Sequence, residues 1–148
     1  EKEINRLINI FSDYKKTPDV LYDESLNDKK NSSILILGTV GILAELYWHS
    51  QIVYIGGGFS KGIHNIMEPS ITGVPILFGP NYEHADEAEI LIKNGGAICI
   101  KNEVEFKQAL LSLLDSPKYL EKVGKISSNL IKSKIGASSK IVGHIITD

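Results

Sequence analysis

Cysteine is almost missing from this sequence: Cys99 stands alone among 148 residues. One thiol can build neither a disulfide framework nor a cysteine-based zinc site, and a reducing compartment is the natural expectation. Net charge is nearly missing too. Sixteen Lys and Arg against eighteen Asp and Glu leave a formal −2, so no global pull toward nucleic acid exists and no nucleic-acid partner is expected. No apolar run approaches the roughly 20 residues that span a bilayer, and no signal peptide opens the chain. There is no internal repeat or low-complexity segment. The chain opens on Glu1 rather than Met, directly in a helical pattern, which reads as a domain excised from something longer.

What is present is an ordinary globular composition, 43% hydrophobic and 23% charged. Its length suits one core, so residues 1–148 are expected to form a single domain. Ile4, Leu7, Ile8 and Phe11 fall on one helical face over residues 2–13, and Val20-Leu21-Tyr22 is a short extended piece. Residues 23–33 are polar and loop-like. Ile34 to Leu37 is a continuous aliphatic run, the mark of a strand buried on both faces, and Leu43, Leu46 and Tyr47 suggest a short helix. Further strands are read at Ile52 to Ile55, Pro75 to Phe78 and Ala97 to Ile100. Helices are read from Ile66 to Thr72 and from His84 to Lys93. Phe106, Ala109, Leu110, Leu113 and Leu114 mark a strong amphipathic helix. The pattern resumes from Tyr119 to Ile131, and a last helix follows toward the C-terminus. Apolar strands alternating with helices predict an α/β fold: a Rossmann-like parallel sheet with helices on both faces.

The chemistry concentrates in YIGGGFSKGIHNIMEPS, residues 54–70. In such sheets ligands bind beyond the carboxyl ends of the strands, and Gly56-Gly57-Gly58 sits at one such end. Glycines let the backbone approach a bound group, the following helix start favours an anion, and Lys61 adds a positive charge. Two nucleotide motifs fail here. Gly57 and Gly62 have P-loop spacing, but Ile63-His64 follow instead of Lys-Ser/Thr; Gly56 and Gly58 begin a dinucleotide fingerprint, but Lys61 occupies its last position. The glycines by themselves are equally a tight turn or a ligand loop.

Asn65 and Glu68 have capping-box spacing, with Asn65 as N-cap and Glu68 at the third helical position, and Pro69 fits a first turn. Alternatively, Glu68 accepts hydrogen bonds from vicinal sugar hydroxyls. His64 is either a donor to an anion or a structural hydrogen-bonder. The remaining histidines have no metal-ligand spacing, so no metal site is read. Gly38-Thr39-Val40-Gly41 and Gly79-Pro80-Asn81-Tyr82 leave two other strands, and three such loops on one edge predict a crevice. Asn81 and Tyr82 themselves read as ordinary turn residues.

The segment VYIGGGFSKGIHNIMEPSITGVPILFGPNYEHADEAEILI, residues 53–92, with the upstream ILIL-x-T-x-G-x-L-x-x-LY pattern, resembles the donor-binding half of bacterial 3-deoxy-D-manno-octulosonic acid (Kdo) transferases. The resemblance covers roughly residues 34–100. It implies the C-terminal half of a GT-B glycosyltransferase that transfers Kdo from CMP-Kdo to the lipid A precursor of lipopolysaccharide. The acceptor domain and the general base lie in an N-terminal domain outside this chain, so no catalytic residue is expected here and the fragment by itself is expected inactive. Carried over by position, Gly57, Gly58 and Phe59 offer backbone groups to the donor phosphate. His64 and Asn65, with Lys61, lie beside it, Glu68 grips the ribose, and Thr39 and Gly41 match a donor-facing loop. Where the family has an aspartate, this chain has Gly38.

No cofactor beyond the donor substrate is implied, and no metal. The resemblance places the full-length protein at the cytoplasmic face of the inner membrane and leaves the fragment soluble. Membrane contact would belong only to the full-length protein. A UDP-sugar GT-B transferase or epimerase, or a non-catalytic nucleotide-binding domain, are the alternative readings.

Overall fold

The structure is a computed structural model and describes residues 1–14, 16–21 and 32–145. They fall into two compact units, Glu1–Leu43 and Ala44–Asp148. In the first unit, helix α1 (Lys2–Asp13) covers the span its periodicity predicts, and strand β1 (Asp19–Leu21) pairs in parallel with β2 (Leu35–Leu37). Tyr22 and most of the expected polar loop lie outside the described residues. One expectation fails here. Leu35 is 52% exposed, so β2 is not buried on both faces. Only Ile36, at its centre, is buried.

Helix α2 (Leu43–Trp48) leads into the second unit, whose sheet runs β3 (Val53–Ile55), β4 (Ile76–Phe78), β5 (Ala97–Cys99), all parallel and in that spatial order. The central strand is wholly buried, and its side chains sort by the two-residue period of a strand. Ile76 and Phe78 join Val53, Ile55 and Ala97 on one face. That face is covered by Tyr47 of α2, by α3 (Met67–Thr72), by Ala88 and Leu91 of α4 (Asp86–Asn94), and by Ile131 of α6 (Pro117–Ile145). Leu77 points the other way. There it packs with Ile98 and Ile100 against Phe106, Ala109 and Leu113 of α5 (Glu103–Leu114) and Leu120 and Val123 of α6. The parallel sheet with helices on both faces is thus present in this unit.

Helix α6 is a single element of 29 residues. The sequence reading divides this region into two helices, but no proline interrupts it after Pro117 and the helix continues. It presses on α3 through small residues. A Cβ on Gly124 would collide with the Gly73 carbonyl oxygen, and the Ser128 hydroxyl donates to the Ile71 carbonyl at 3.0 Å. That bond occupies a carbonyl in the last turn of α3, where a helix runs out of its own donors.

The close approach gives a stability prediction. Gly124→Ala should cost about 1–3 kcal/mol through overpacking, read as a lower denaturation midpoint. An unchanged midpoint would show that α6 and α3 do not need this spacing.

Candidate functional site: the glycine loop and the start of α3

The loop from β3 to α3 is held closed by its own backbone. The Gly57 carbonyl accepts from the N–H groups of Ser60 (2.8 Å) and Gly62 (3.1 Å), and the His64 N–H donates to the Gly56 carbonyl (3.2 Å). Gly57 has φ +89°, and a Cβ there would run into the Gly62 carbonyl, so this turn admits only glycine. Gly58 meets a different constraint. Its backbone lies against Gly79, and a Cβ would stand 2.6–2.8 Å from the Gly79 backbone. Gly56 meets neither, since its added Cβ would find only His64 Cδ2, at 3.8 Å. Gly57 and Gly58 are therefore required for two different reasons, and Gly56 for neither.

The loop after β4 completes the clamp. Asn81 donates its N–H to the Gly58 carbonyl (2.9 Å) and accepts from the Ile63 N–H (3.1 Å), while its Nδ2 donates to the Ser60 carbonyl (2.7 Å). His84 Nε2 lies 3.2 Å from the Ile63 carbonyl, the geometry of a donor, and its ring fills the space a Gly62 side chain would need. Asn81 is thus more than the ordinary turn residue the sequence suggests. Among the described residues, the N–H groups of Phe59 and Lys61 have no acceptor.

Helix α3 departs from the expected capping box. It starts at Met67 with Ile66 at the cap, so Glu68 is the second helical residue rather than the third. Ile63 and Ile66 are drawn into the core under the sheet, and this fixes the chain's path one residue further on. Asn65 remains outside. Its Oδ1 accepts from the Met67 N–H (2.9 Å) and its Nδ2 donates to Glu68 Oε1 (3.1 Å). The pair is therefore bridged through side chains, and Glu68 does not reach back to the backbone. A reciprocal cap does occur at α5, where Asn102 Oδ1 accepts from the Glu105 N–H (2.9 Å) and Glu105 Oε2 from the Lys101 N–H (2.9 Å).

Lys61, His64, Asn65 and Glu68 are all exposed, and they follow one another along the loop and the first turn of α3. With only six residues, α3 has a small dipole, so any anion here would be held chiefly by N–H groups and Lys61. Tyr47, read from the sequence as a marker of a short helix and not as a site residue, lies in the core under this region. Burial pushes its phenol pKa up, and the Glu68 carboxylate adds to the shift. Phe59 turns elsewhere. It lines a cavity of about 400 Å³ with Tyr54, Ile100, Asn102, Glu103 and Phe106, where Tyr54 and Phe106 meet edge to face at 5.8 Å.

Thr39 and Gly41 belong to the first unit. Gly41 has φ +98°, and the Thr39 hydroxyl donates at long range to the Val40 carbonyl, 3.5 Å. Within the second unit the structure joins the loops at residues 56–63 and 79–84. Among the described residues, no group of three or more His, Cys, Asp or Glu could hold a metal ion. No described helix is long and apolar enough to cross a membrane.

No family model matches the chain. Individual proteins do. It is 34% identical over 110 residues to the 3-deoxy-D-manno-octulosonic acid transferase of Aquifex aeolicus (strain VF5), covering 72% of this chain and 31% of that protein. It is 31% identical over 117 residues to the enzyme of the same name from Rickettsia prowazekii (strain Madrid E), covering 78% and 25%. A third, from Chlamydophila psittaci (strain ATCC VR-125 / 6BC), is 33% identical over 87 residues, covering 57% and 20%. The chain thus spans less than a third of the length of these relatives. In structure it resembles the C-terminal CMP-Kdo binding domain of WaaA from Acinetobacter baumannii, with a TM-score of 0.74 and 20% identity over 88% of this chain and 68% of that one. The shared fold is the α/β architecture expected from the sequence.

The loop geometry separates glycines that the sequence cannot. Gly58→Ala should destabilise the chain by about 1–3 kcal/mol and Gly57→Ala by at least as much. Gly56→Ala should stay within about 0.5 kcal/mol of the parent. Equal melting temperatures for Gly56→Ala and Gly58→Ala would contradict the clamp.

Proposed function

We infer that this chain belongs to the 3-deoxy-D-manno-octulosonic acid transferases and is the part of one that binds the activated sugar, CMP-Kdo. The observation that carries the reading is a fold like that of a CMP-Kdo binding domain bearing, at the end of β3, a loop with N–H groups that have no acceptor among the described residues, followed by exposed His64, Asn65 and Glu68. Sequence likeness to the named transferases supports it independently.

In this reading the single phosphate of CMP-Kdo lies over the loop at residues 57–61. The Phe59 N–H and the Lys61 charge meet it, and Gly57 and Gly58 shape the backbone beneath. His64 and Asn65 stand beside the phosphate. Glu68, held from one side by the Asn65 amide, keeps Oε2 free for the ribose hydroxyls. Thr39 and Gly41 belong to a second donor-facing loop. This domain grips the leaving group. As the bond from the anomeric carbon of Kdo to the phosphate oxygen breaks, negative charge grows on CMP, and preorganised N–H donors stabilise it without reorganising.

The acceptor hydroxyl of a lipid A precursor and the base that takes its proton belong to a separate N-terminal domain of a GT-B enzyme. Transfer inverts the anomeric centre. The full-length protein would work at the cytoplasmic face of the inner membrane, in lipopolysaccharide inner-core synthesis. No metal or further cofactor enters the scheme, and this chain supplies binding but no base.

Calorimetric titration with CMP, UMP and UDP tests the reading. CMP should bind selectively, and Glu68→Ala should weaken it by about tenfold or more, the worth of a hydrogen bond to a charged group. CMP binding indifferent to Glu68→Ala would return that residue to its part at the helix start. Preference for UDP, or no nucleotide binding at all, would overturn the donor assignment.

A further inference from the structure

Asn81 lies outside every residue given a part in nucleotide binding, yet it is tied to the glycine loop along its length. Its partners, Gly58, Ser60 and Ile63, are the entry, crest and exit of the turn. Two of the three bonds are backbone to backbone and would form with any residue that has an N–H. Only the Nδ2 bond to the Ser60 carbonyl, 2.7 Å, depends on the side chain.

A trans peptide unit is planar, with its C=O and N–H pointing in opposite directions. A carbonyl held toward Asn81 therefore turns the next residue's N–H away from it. The Gly58 carbonyl belongs to the same peptide as the Phe59 N–H, and the Ser60 carbonyl to the same peptide as the Lys61 N–H. Asn81 holds both carbonyls, and the N–H groups of Phe59 and Lys61 have no acceptor among the described residues. One residue thus orients two free donors, alternating along the loop and turned to the side away from Asn81.

We propose that Asn81 is a positioning residue for anion binding: its backbone N–H presets the Phe59 N–H, and its side-chain amide the Lys61 N–H, toward the phosphate monoester of a nucleotide. The inference rests on the donor-binding reading and adds to it a residue that never touches the ligand. Such a residue acts on the phosphate only. It should leave the binding of the nucleoside part unchanged, which sets it apart from a general support of the fold.

The test compares CMP with cytidine, titrated against the chain and against Asn81→Leu, which keeps the side chain's shape and removes its donor; Asn81→Ala is the second variant. The parent should bind CMP more tightly than cytidine. In Asn81→Leu, CMP affinity should fall about tenfold, as expected when a charge-assisted hydrogen bond is misaligned, while cytidine affinity stays within about twofold. A variant that folds and keeps the parent's ratio of CMP to cytidine affinity would overturn the role of Asn81 and leave the donor reading intact. Equal losses for both ligands, or failure of both variants to fold, would make Asn81 a support of the fold and overturn it too. A parent chain that does not distinguish CMP from cytidine would remove the phosphate site itself, a result visible before any variant is made.

Discussion

Neighbouring strands of a parallel sheet stand about 4.8 Å apart, and loops leaving them can stay together beyond the last ladder bond only if no side chain intervenes. At the ends of β3 and β4 that condition is met by Gly58 lying on Gly79. The other features of the loop follow from this contact. With the two backbones touching, the Asn81 N–H reaches the Gly58 carbonyl, the Ile63 N–H reaches the Asn81 carbonyl, and His84 closes over Gly62. A loop bonded in this way holds its N–H donors in one arrangement, which leaves little ordering to be done were a ligand to bind.

Helix α3 is too short to owe its position to its own hydrogen bonds. It is held from outside. Asn65 takes up the Met67 N–H at its start, and Pro69 and Ser70 are buried in its middle. Gly124 and Ser128 of α6 fit against its end. Glu68, the exposed residue of its first turn, therefore stands on a platform fixed by the core, although the helix has fewer than two full turns.

Most of the architecture was legible because its signals are local. Each strand of the second unit lies within a residue or two of the apolar run that predicts it, and α1 coincides with its periodicity. The misreadings have physical causes. Leu35 is as apolar as Ile36, and only the partners available to a two-stranded sheet decide which of them is covered. Asn65 and Glu68 carry capping-box spacing, but burial of Ile63 and Ile66 delays the helix by one residue. In the site, the exposed polar residues after the glycines could be picked out by type. Asn81 could not, because two of its three bonds use backbone atoms that every residue has, and its partners lie about twenty positions upstream. Tyr47 was hidden for the opposite reason, its ring being an ordinary member of an apolar core.

The clamp is built from main-chain atoms, absent side chains and the side chains of Asn81 and His84, none of which is an outward-facing group of the loop. Lys61, His64 and Glu68 project from that frame, with Glu68 bridged to Asn65, while the Phe59 ring lies against Gly79. A substitution at Lys61, His64 or Glu68 therefore changes the groups the loop presents while leaving the bonds that shape the loop in place.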